Sequence, residues 1–202
     1  MSDVRTGDDG VDRCAWVGAD PEYARYHDEE WGRPLRGDRA LFEKLALEGF
    51  QAGLSWITIL RRRPGFRSAF LEFEPTAVAA LGPADVERLM LDERIIRNRA
   101  KIEATIGNAR ALLALEAAEG PDALDRLIWS FASTGSRGRP ASFAEVPAVT
   151  PESTALSTAL KRRGFRFVGP TTMYALMQSA GLVDDHVAGC WRVPGSARTL
   201  PA

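Results

Sequence analysis

Residues 159–190 read ALKRRGFRFVGPTTMYALMQSAGLVDDHVAGC. A helix that starts at Thr150-Pro151, an N-cap followed by proline at the first helical position, runs into this stretch and reaches Arg163. GFRFVG then interrupts it, with Gly164 and Gly169 at its edges, and a second helix is entered through Pro170 and Thr171. The hairpin amides and the N-terminus of the second helix form a concave set of donors suited to a phosphate. Lys161, Arg162, Arg163 and Arg166 place positive charge beside it. Any αα-hairpin with glycine at its turn has the same outline, so this segment alone leaves DNA binding and plain helix packing both open.

The same stretch ends in His186 and Cys190, and these belong to a pattern. The chain contains two cysteines and two histidines. They form Cys14-x12-His27 near the start and His186-x3-Cys190 near the end, the spacing of one Cys2His2 metal site closed between the two termini. If His186 begins a helical turn, Cys190 four residues on shares its face and the segment supplies two corners of a tetrahedron. Four protein ligands leave no open position for water, so such a zinc site, one per chain, is structural. The alternatives are one disulfide, or two buried cysteines with two unrelated histidines.

Composition bounds the rest. With 202 residues, 45% hydrophobic and 26% charged, the chain suits one globular domain. No apolar run approaches 18 residues and no basic-then-apolar leader is present, which leads us to expect a soluble, cytoplasmic protein with reduced thiols and no membrane contact. A formal net charge of −1 excludes a broadly basic surface, so a nucleic-acid contact would have to be local. Residues 1–11 are polar and rich in Gly and Asp, and are expected to be a loose tail. Residues 192–202 are expected to be another, leaving a single domain over 12–191.

Within that domain helices dominate. Asp20-Pro21 starts one that places Tyr23, His27 and Trp31 on a shared face, and Asp38 starts another in which Leu41, Leu45, Glu48 and Ala52 fall on one stripe. Pro64-Gly65 precedes the next segment, about 75–91. Helical segments follow on either side of Gly82-Pro83, and Ile95, Ile96, Ile102, Ile106 and Ala109 mark a long amphipathic helix. Residues 133–150, with Arg137 and Arg139, form the one extended loop-like stretch, either a solvated connector or a phosphate contact. No period-2 alternation competes, so the fold is expected to be all-α.

Trp16, Tyr23, Tyr26, Trp31 and Trp56 crowd into the first part of the chain around Glu48. An aromatic minicore would explain the rings. A carboxylate on an apolar stripe among indoles and phenols makes a poor core, however, and a good pocket for a flat, cationic, hydrogen-bonding ligand. A flipped alkylated base fits that description.

The blocks CAWVGADPEYARYHDEEWG, LFEKLALEGFQAGLSWITIL, IIRNRAKIEATIGNARA, IWSF and the 159–190 stretch together resemble the 3-methyladenine DNA glycosylase I family, within the helix-hairpin-helix superfamily. The resemblance runs from about residue 12 to 191 and omits the tails and residues 133–150. It implies an all-α, two-lobed fold with a helix-hairpin-helix near 154–180 and with termini tied by a structural zinc on Cys14, His27, His186 and Cys190. It also implies hydrolysis of the N-glycosidic bond of 3-methyladenine in double-stranded alkylated DNA, with free 3-methyladenine as product, by a protein expected to be a monomer. The family's base pocket falls on Trp16, Tyr23, Tyr26, Glu48 and Trp56. Its DNA contacts fall on Gly53 and Leu54, in a loop approaching the gap left in the duplex, and on the hairpin residues Arg163, Gly164, Arg166, Gly169 and Thr171.

Two features depart from the wider superfamily. The glycine usual two places before Gly169 is Phe167 here. The catalytic aspartate some twenty residues beyond the hairpin has only Asp184 and Asp185 as counterparts, crowded against His186, and Asp185 reads better as a residue that holds or caps a ligand. Glu48 is then the one catalytic candidate: a 3-methylated adenine is already cationic and leaves as a neutral base, so offsetting charge and orienting water suffice. No lysine lies in the hairpin or beyond Lys161, which argues against a Schiff-base lyase step.

Overall fold

The computed structural model describes residues 2–132 and 138–192. Among them nine α-helices carry the fold, with one two-stranded sheet beside them. α1 (Pro21–Glu29) begins where the Asp20 carboxylate accepts the amides of Glu22 and Tyr23, ahead of Pro21. α2 (Asp38–Gln51) is the hub, packing on α3 (Trp56–Ala69), α6 (Arg99–Glu119), α7 (Ala123–Trp129) and α9 (Pro170–Ser179). Ten of its 14 residues are buried, so Glu48 and Lys44 are enclosed with the leucines rather than set on a margin. α4 (Pro75–Ala79) and α5 (Pro83–Met90) lie on α6, and α8 (Pro151–Arg162) packs on α9.

All nine helices feed one continuous apolar cluster, from Tyr26 to Leu182. A smaller cluster of Cys14, Val187 and Cys190 sits where the two ends of the domain meet, with Trp16 and Trp31 packed against it. Trp16 and Trp31 also pack on the main core, linking the two.

Several expectations need correction. The described part of the expected N-terminal tail, residues 2–11, is not loose: β1 (Val4–Thr6) pairs antiparallel with β2 (Asp12–Cys14), placing Val4 opposite Cys14. The GDDG tetrad is the hairpin turn, closed by the Gly7 amide on the Val11 carbonyl at 2.9 Å. The fold is therefore mostly, not wholly, helical. At the other end Arg192 is buried; residues 193–202 of the expected tail lie outside the described residues.

Pro64 does not break a helix. α3 passes through it to Ala69, because Ile59, Leu60, Phe66 and Ala69 are locked into the core and packing outweighs the lost hydrogen bond. Gly65 beside it is required by close approach, since a Cβ there would meet the Arg94 carbonyl oxygen at 2.7 Å. The long helix starts only at Arg99, where Asn98 caps the Lys101 amide; Ile95 is buried in the turn before it.

The hairpin between α8 and α9 is anchored by buried Phe165 and Val168. Asn108 of α6 clamps it, donating to the Arg166 carbonyl at 3.0 Å and accepting the Arg166 amide at 2.7 Å. Phe167 adopts φ +56, so the left-handed backbone that glycine supplies elsewhere is kept here by a phenylalanine.

Candidate functional site

A cavity of about 220 Å³ opens between α1, α2, α3 and α9. That is below the usual range for drug-sized ligands and suits one small flat molecule. Trp16, Tyr23, Tyr26, Glu48 and Trp56 all line it, so the structure brings together every pocket residue expected from the sequence. The rings form a connected wall: Trp16 meets Tyr23 edge-on at 4.9 Å, and Tyr26 meets Trp56 at 5.5 Å between centroids. Burial, with Glu48 adding to it, pushes both phenols up, well above the ordinary value for Tyr26, so both stay neutral donors.

Glu48 is not without a partner. Its Oε1 accepts the Ser179 hydroxyl at 2.9 Å and lies 3.3 Å from Lys44 Nζ, one helical turn back. Lys44 also donates to the Tyr26 hydroxyl at 2.8 Å and sits 3.8 Å over the Trp56 ring. Burial draws its pKa down while Glu48 pulls the other way. Lys44 does not line the base-sized cavity. It lines a second one of about 250 Å³ on the far side of Tyr26, Trp56 and Ser179, among Glu30, Arg63, Glu43 and Arg67. The Trp56 indole N–H is buried with no hydrogen-bond partner among the described residues.

The sequence reading missed part of this wall. Gln51, Ala175, Gln178 and Ser179 follow from helices α2 and α9, and their signal was helical phase relative to Glu48 and the hairpin. Phe143 and Val146 come from the stretch expected to be a connector or phosphate contact, and loop residues carry no periodic signal at all. Arg139 explains the fixity of that stretch: it pairs with Asp184 at 3.1 Å and donates to the Cys190 carbonyl, while the Ala188 amide reaches the Pro140 carbonyl. Arg137 lies outside the described residues. The two aspartates differ. Asp184 caps the His186 amide, whereas Asp185 lines the cavity, its Oδ2 held by Tyr174 at 2.5 Å and Gln178 at 2.9 Å.

Cys14, His27, His186 and Cys190 converge, all buried, with ligand atoms within 4.8 Å of one another, in an arrangement able to hold a metal ion. Cys190 Sγ lies 3.4 Å from His27 Nε2 and 3.6 Å from His186 Nδ1, and Cys14 Sγ lies 3.8 Å from His186 Nδ1. Both cysteines are free thiols, not a disulfide. His186 does not open a helical turn; it lies in irregular backbone, and a turn closed by the Cys190 amide on the Val187 carbonyl brings Cys190 round instead. His27 Nδ1 bonds the Asp28 carboxylate at 2.7 Å, and Asp28 in turn accepts from Arg13 and the Trp191 indole. That arrangement points His27 Nε2 at the cluster. The hydrogen bond from Cys14 draws Cys190 down towards thiolate, and Cys14 as its donor is held up.

The expected DNA contacts occupy two exposed places. Gly53 (φ +85) and Leu54, 42% exposed, form the loop after Gln51, tethered by Lys101 donating to the Phe50 and Ala52 carbonyls at 2.8 and 2.7 Å. Gly164 (φ +87) follows the end of α8, exposed Arg166 lies in the hairpin, and Gly169 and Thr171 stand at the N-terminus of α9. Arg163 pairs with Glu119 at 3.1 Å, and the Arg166 amide is taken by Asn108, so two donors expected there already have protein partners.

A helical scaffold with an aromatic, carboxylate-bearing cavity of single-base size, beside an exposed loop and a helical hairpin, is the arrangement expected of a protein that takes one base out of a nucleic acid. Residues 16–193 match the family model described as methyladenine glycosylase, and the chain belongs to that family. It is 50% identical over 187 residues to DNA-3-methyladenine glycosylase 1 of Escherichia coli (strain K12), covering 92% of this chain and 99% of that protein. A crystal structure of 3-methyladenine DNA glycosylase I superposes with a TM-score of 0.86 at 49% identity, covering 90% of this chain and all of the other. A variant of 3-methyladenine DNA glycosylase I in complex with 3-methyladenine superposes at 0.82 with 37% identity, over 88% of this chain and 95% of that one.

Proposed function

We propose that this protein is a monofunctional DNA base-excision repair glycosylase. It hydrolyses the N-glycosidic bond of 3-methyladenine in alkylated double-stranded DNA, releasing the free base and leaving an abasic site. The observation that carries this reading is Glu48, a buried carboxylate on the wall of a ring-lined cavity of single-base size.

The extruded base lies among Trp16, Tyr23, Tyr26 and Trp56, where ring faces and edges hold a planar ligand. Glu48 accepts a hydrogen bond from it. Contacts to Lys44 and Ser179 both fall on Oε1, which fixes the carboxylate and leaves Oε2 as the oxygen for a ligand. The C1′–N9 bond breaks with its electron pair moving onto the base, which departs neutral, while water adds to the sugar and gives up a proton. Because the lesion is cationic beforehand, holding and orienting it supplies much of the catalysis. Lys44 stands behind the wall of the base cavity, which fits hydrolysis without a Schiff base.

Gly53 and Leu54 approach the gap left by the base, and the α8–α9 unit acts as a helix-hairpin-helix. At the start of α9, after Pro170, the amides of Thr171 and Thr172 face a phosphate, and exposed Arg166 adds charge. Thr171 and Ser179 stand on one helix, eight residues or about 12 Å apart along its axis, so the phosphate grip and the pocket wall share a rigid rod.

The metal cluster fits structural zinc. Zn–S bonds of about 2.3 Å and Zn–N bonds of about 2.0–2.1 Å give tetrahedral edges of roughly 3.6 Å, close to the 3.4, 3.6 and 3.8 Å separations present. Zinc held by Cys14, His27, His186 and Cys190 supplies a tie between the termini. The protein works as a cytoplasmic monomer; no described helix is long and apolar enough to cross a membrane. Incubation with N-methylated duplex DNA at substoichiometric enzyme tests the function: free 3-methyladenine accumulating over many turnovers is expected. Binding without release would make it a lesion binder instead.

A further inference from the structure

Glu48 and Lys44 are a charge pair built into the wall of the pocket, and the ammonium belongs to no step so far described. It reaches Glu48 at 3.3 Å, donates to the Tyr26 hydroxyl at 2.8 Å and covers one side of the Trp56 ring at 3.8 Å. Three of the groups that would hold a cationic base are thus already in contact with an internal cation. Around it stand Glu30, just after α1, and Arg63 of α3, themselves paired through two hydrogen bonds, and Ser179 of α9, which shares the Glu48 oxygen. Lys44 itself faces the rear cavity, so a base cannot touch it.

Resting on the function proposed above, we propose that Lys44 is a specificity-determining residue that discharges Glu48, so that the pocket holds the base more tightly after it has lost its positive charge than before. The base enters as a cation attached to the sugar and leaves neutral. An isolated carboxylate under an uncovered indole would stabilise the charged ground state and so raise the barrier to losing that charge. With the ammonium in place Glu48 remains an oriented hydrogen-bond acceptor but contributes little net charge, and binding is shifted toward the transition state, in which charge has begun to leave the base. The Trp56 ring works in the same direction, because part of its attraction for cations is already spent on Lys44.

The test compares two probes with the same ring system: 3,9-dimethyladeninium, which is cationic at neutral pH and carries a methyl where the sugar is attached, and neutral 3-methyladenine. Wild-type protein is expected to bind the neutral base at least as tightly. Lys44→Met, of similar length and apolar, should raise the cation-to-neutral affinity ratio at least tenfold. On methylated duplex it should lower both KM and the single-turnover excision rate. Lys44→Arg should keep the wild-type ratio. A wild-type preference for the cation, or a ratio unmoved by Lys44→Met, overturns the proposal. If Lys44→Met does not fold, the wild-type ratio together with that of Lys44→Gln decides. Should wild-type protein release base from methylated DNA while these ratios fail, only this inference falls; should it neither bind nor release the base, the proposed function falls first.

Discussion

The proposed chemistry rests on one side chain, Glu48, and its surroundings separate a catalytic role from a structural one. Glu48→Gln keeps an acceptor for Ser179 and Lys44 but removes the charge. The base then faces a weaker, neutral acceptor with an uncompensated Lys44 ammonium behind it; hydrogen bonds to charged groups are worth about 1.5–3 kcal/mol, so excision per folded molecule should fall roughly ten- to hundredfold while duplex binding through the hairpin persists. The melting temperature should fall as well, because a buried Lys44 ammonium loses its counter-charge. Thermal melting and base release on one preparation check both; a destabilised variant with full activity would make Glu48 a structural residue only. Glu48 was visible in the sequence because its spacing from Leu41, Leu45 and Ala52 placed a carboxylate on an apolar face. Lys44 was readable by the same arithmetic, being four residues before Glu48. A salt bridge enclosed inside α2 nonetheless looks, in sequence, like the commoner solvated i,i+4 pair.

At the scale of elements, the loop at 52–55 and the α8–α9 hairpin are the parts proposed to address DNA, and each is held by one side chain from α6. Lys101 satisfies the Phe50 and Ala52 carbonyls at the end of α2. Lys101→Met strands both acceptors, a cost of about 1–3 kcal/mol each if they stay dry. Excision should fall severalfold while affinity for free 3-methyladenine, which does not need the loop, stays close to wild type. Equal losses in both measurements would show that Lys101 supports the pocket and not the loop. On the hairpin, Arg166→Ala should weaken binding to duplexes of any sequence and reduce the salt slope by about 0.9 for one lost phosphate contact. Arg163→Ala should do less, because that guanidinium is shared with Glu119. Unchanged affinity and slope in both would move the DNA surface elsewhere. Caps, prolines and glycines made these helices legible from sequence. Pro64, a residue type that ordinarily ends a helix, does not end α3 because core packing on both sides carries the helix through. Phe143 and Val146 could not be anticipated, since what fixes their loop is a long-range pairing of Arg139 with Asp184 that leaves no local pattern.

Across the whole molecule, the two ends of the domain meet at the metal cluster, and that junction is also part of the pocket. Trp16 lines the cavity and lies 5.2 Å from Trp31 and 5.4 Å from the His27 ring, and Trp31, also at the cavity, lies 4.5 Å from His186. The β1–β2 hairpin adds to the junction, with Val4 packed on the cluster of Cys14, Val187 and Cys190. If the cluster holds the proposed zinc, losing the metal does two things in sequence. It first removes a long-range tie, since four protein ligands brought from opposite ends of the chain contribute folding free energy only when the ion holds them. It then leaves two buried thiols and two imidazoles facing one another without a cation, and the rings resting on them lose their register. We expect purified protein to carry about one zinc per chain. Cys190→Ala or His27→Ala should lower the melting temperature markedly and, through Trp16 and Trp31, weaken affinity for 3-methyladenine, while the cleavage step in the molecules that still bind substrate is altered least. Elemental analysis, melting curves before and after chelation, and base affinity on the same samples check this. Metal-free wild-type protein with an unchanged melting temperature and unchanged base affinity would show that the four residues are only a buried polar cluster.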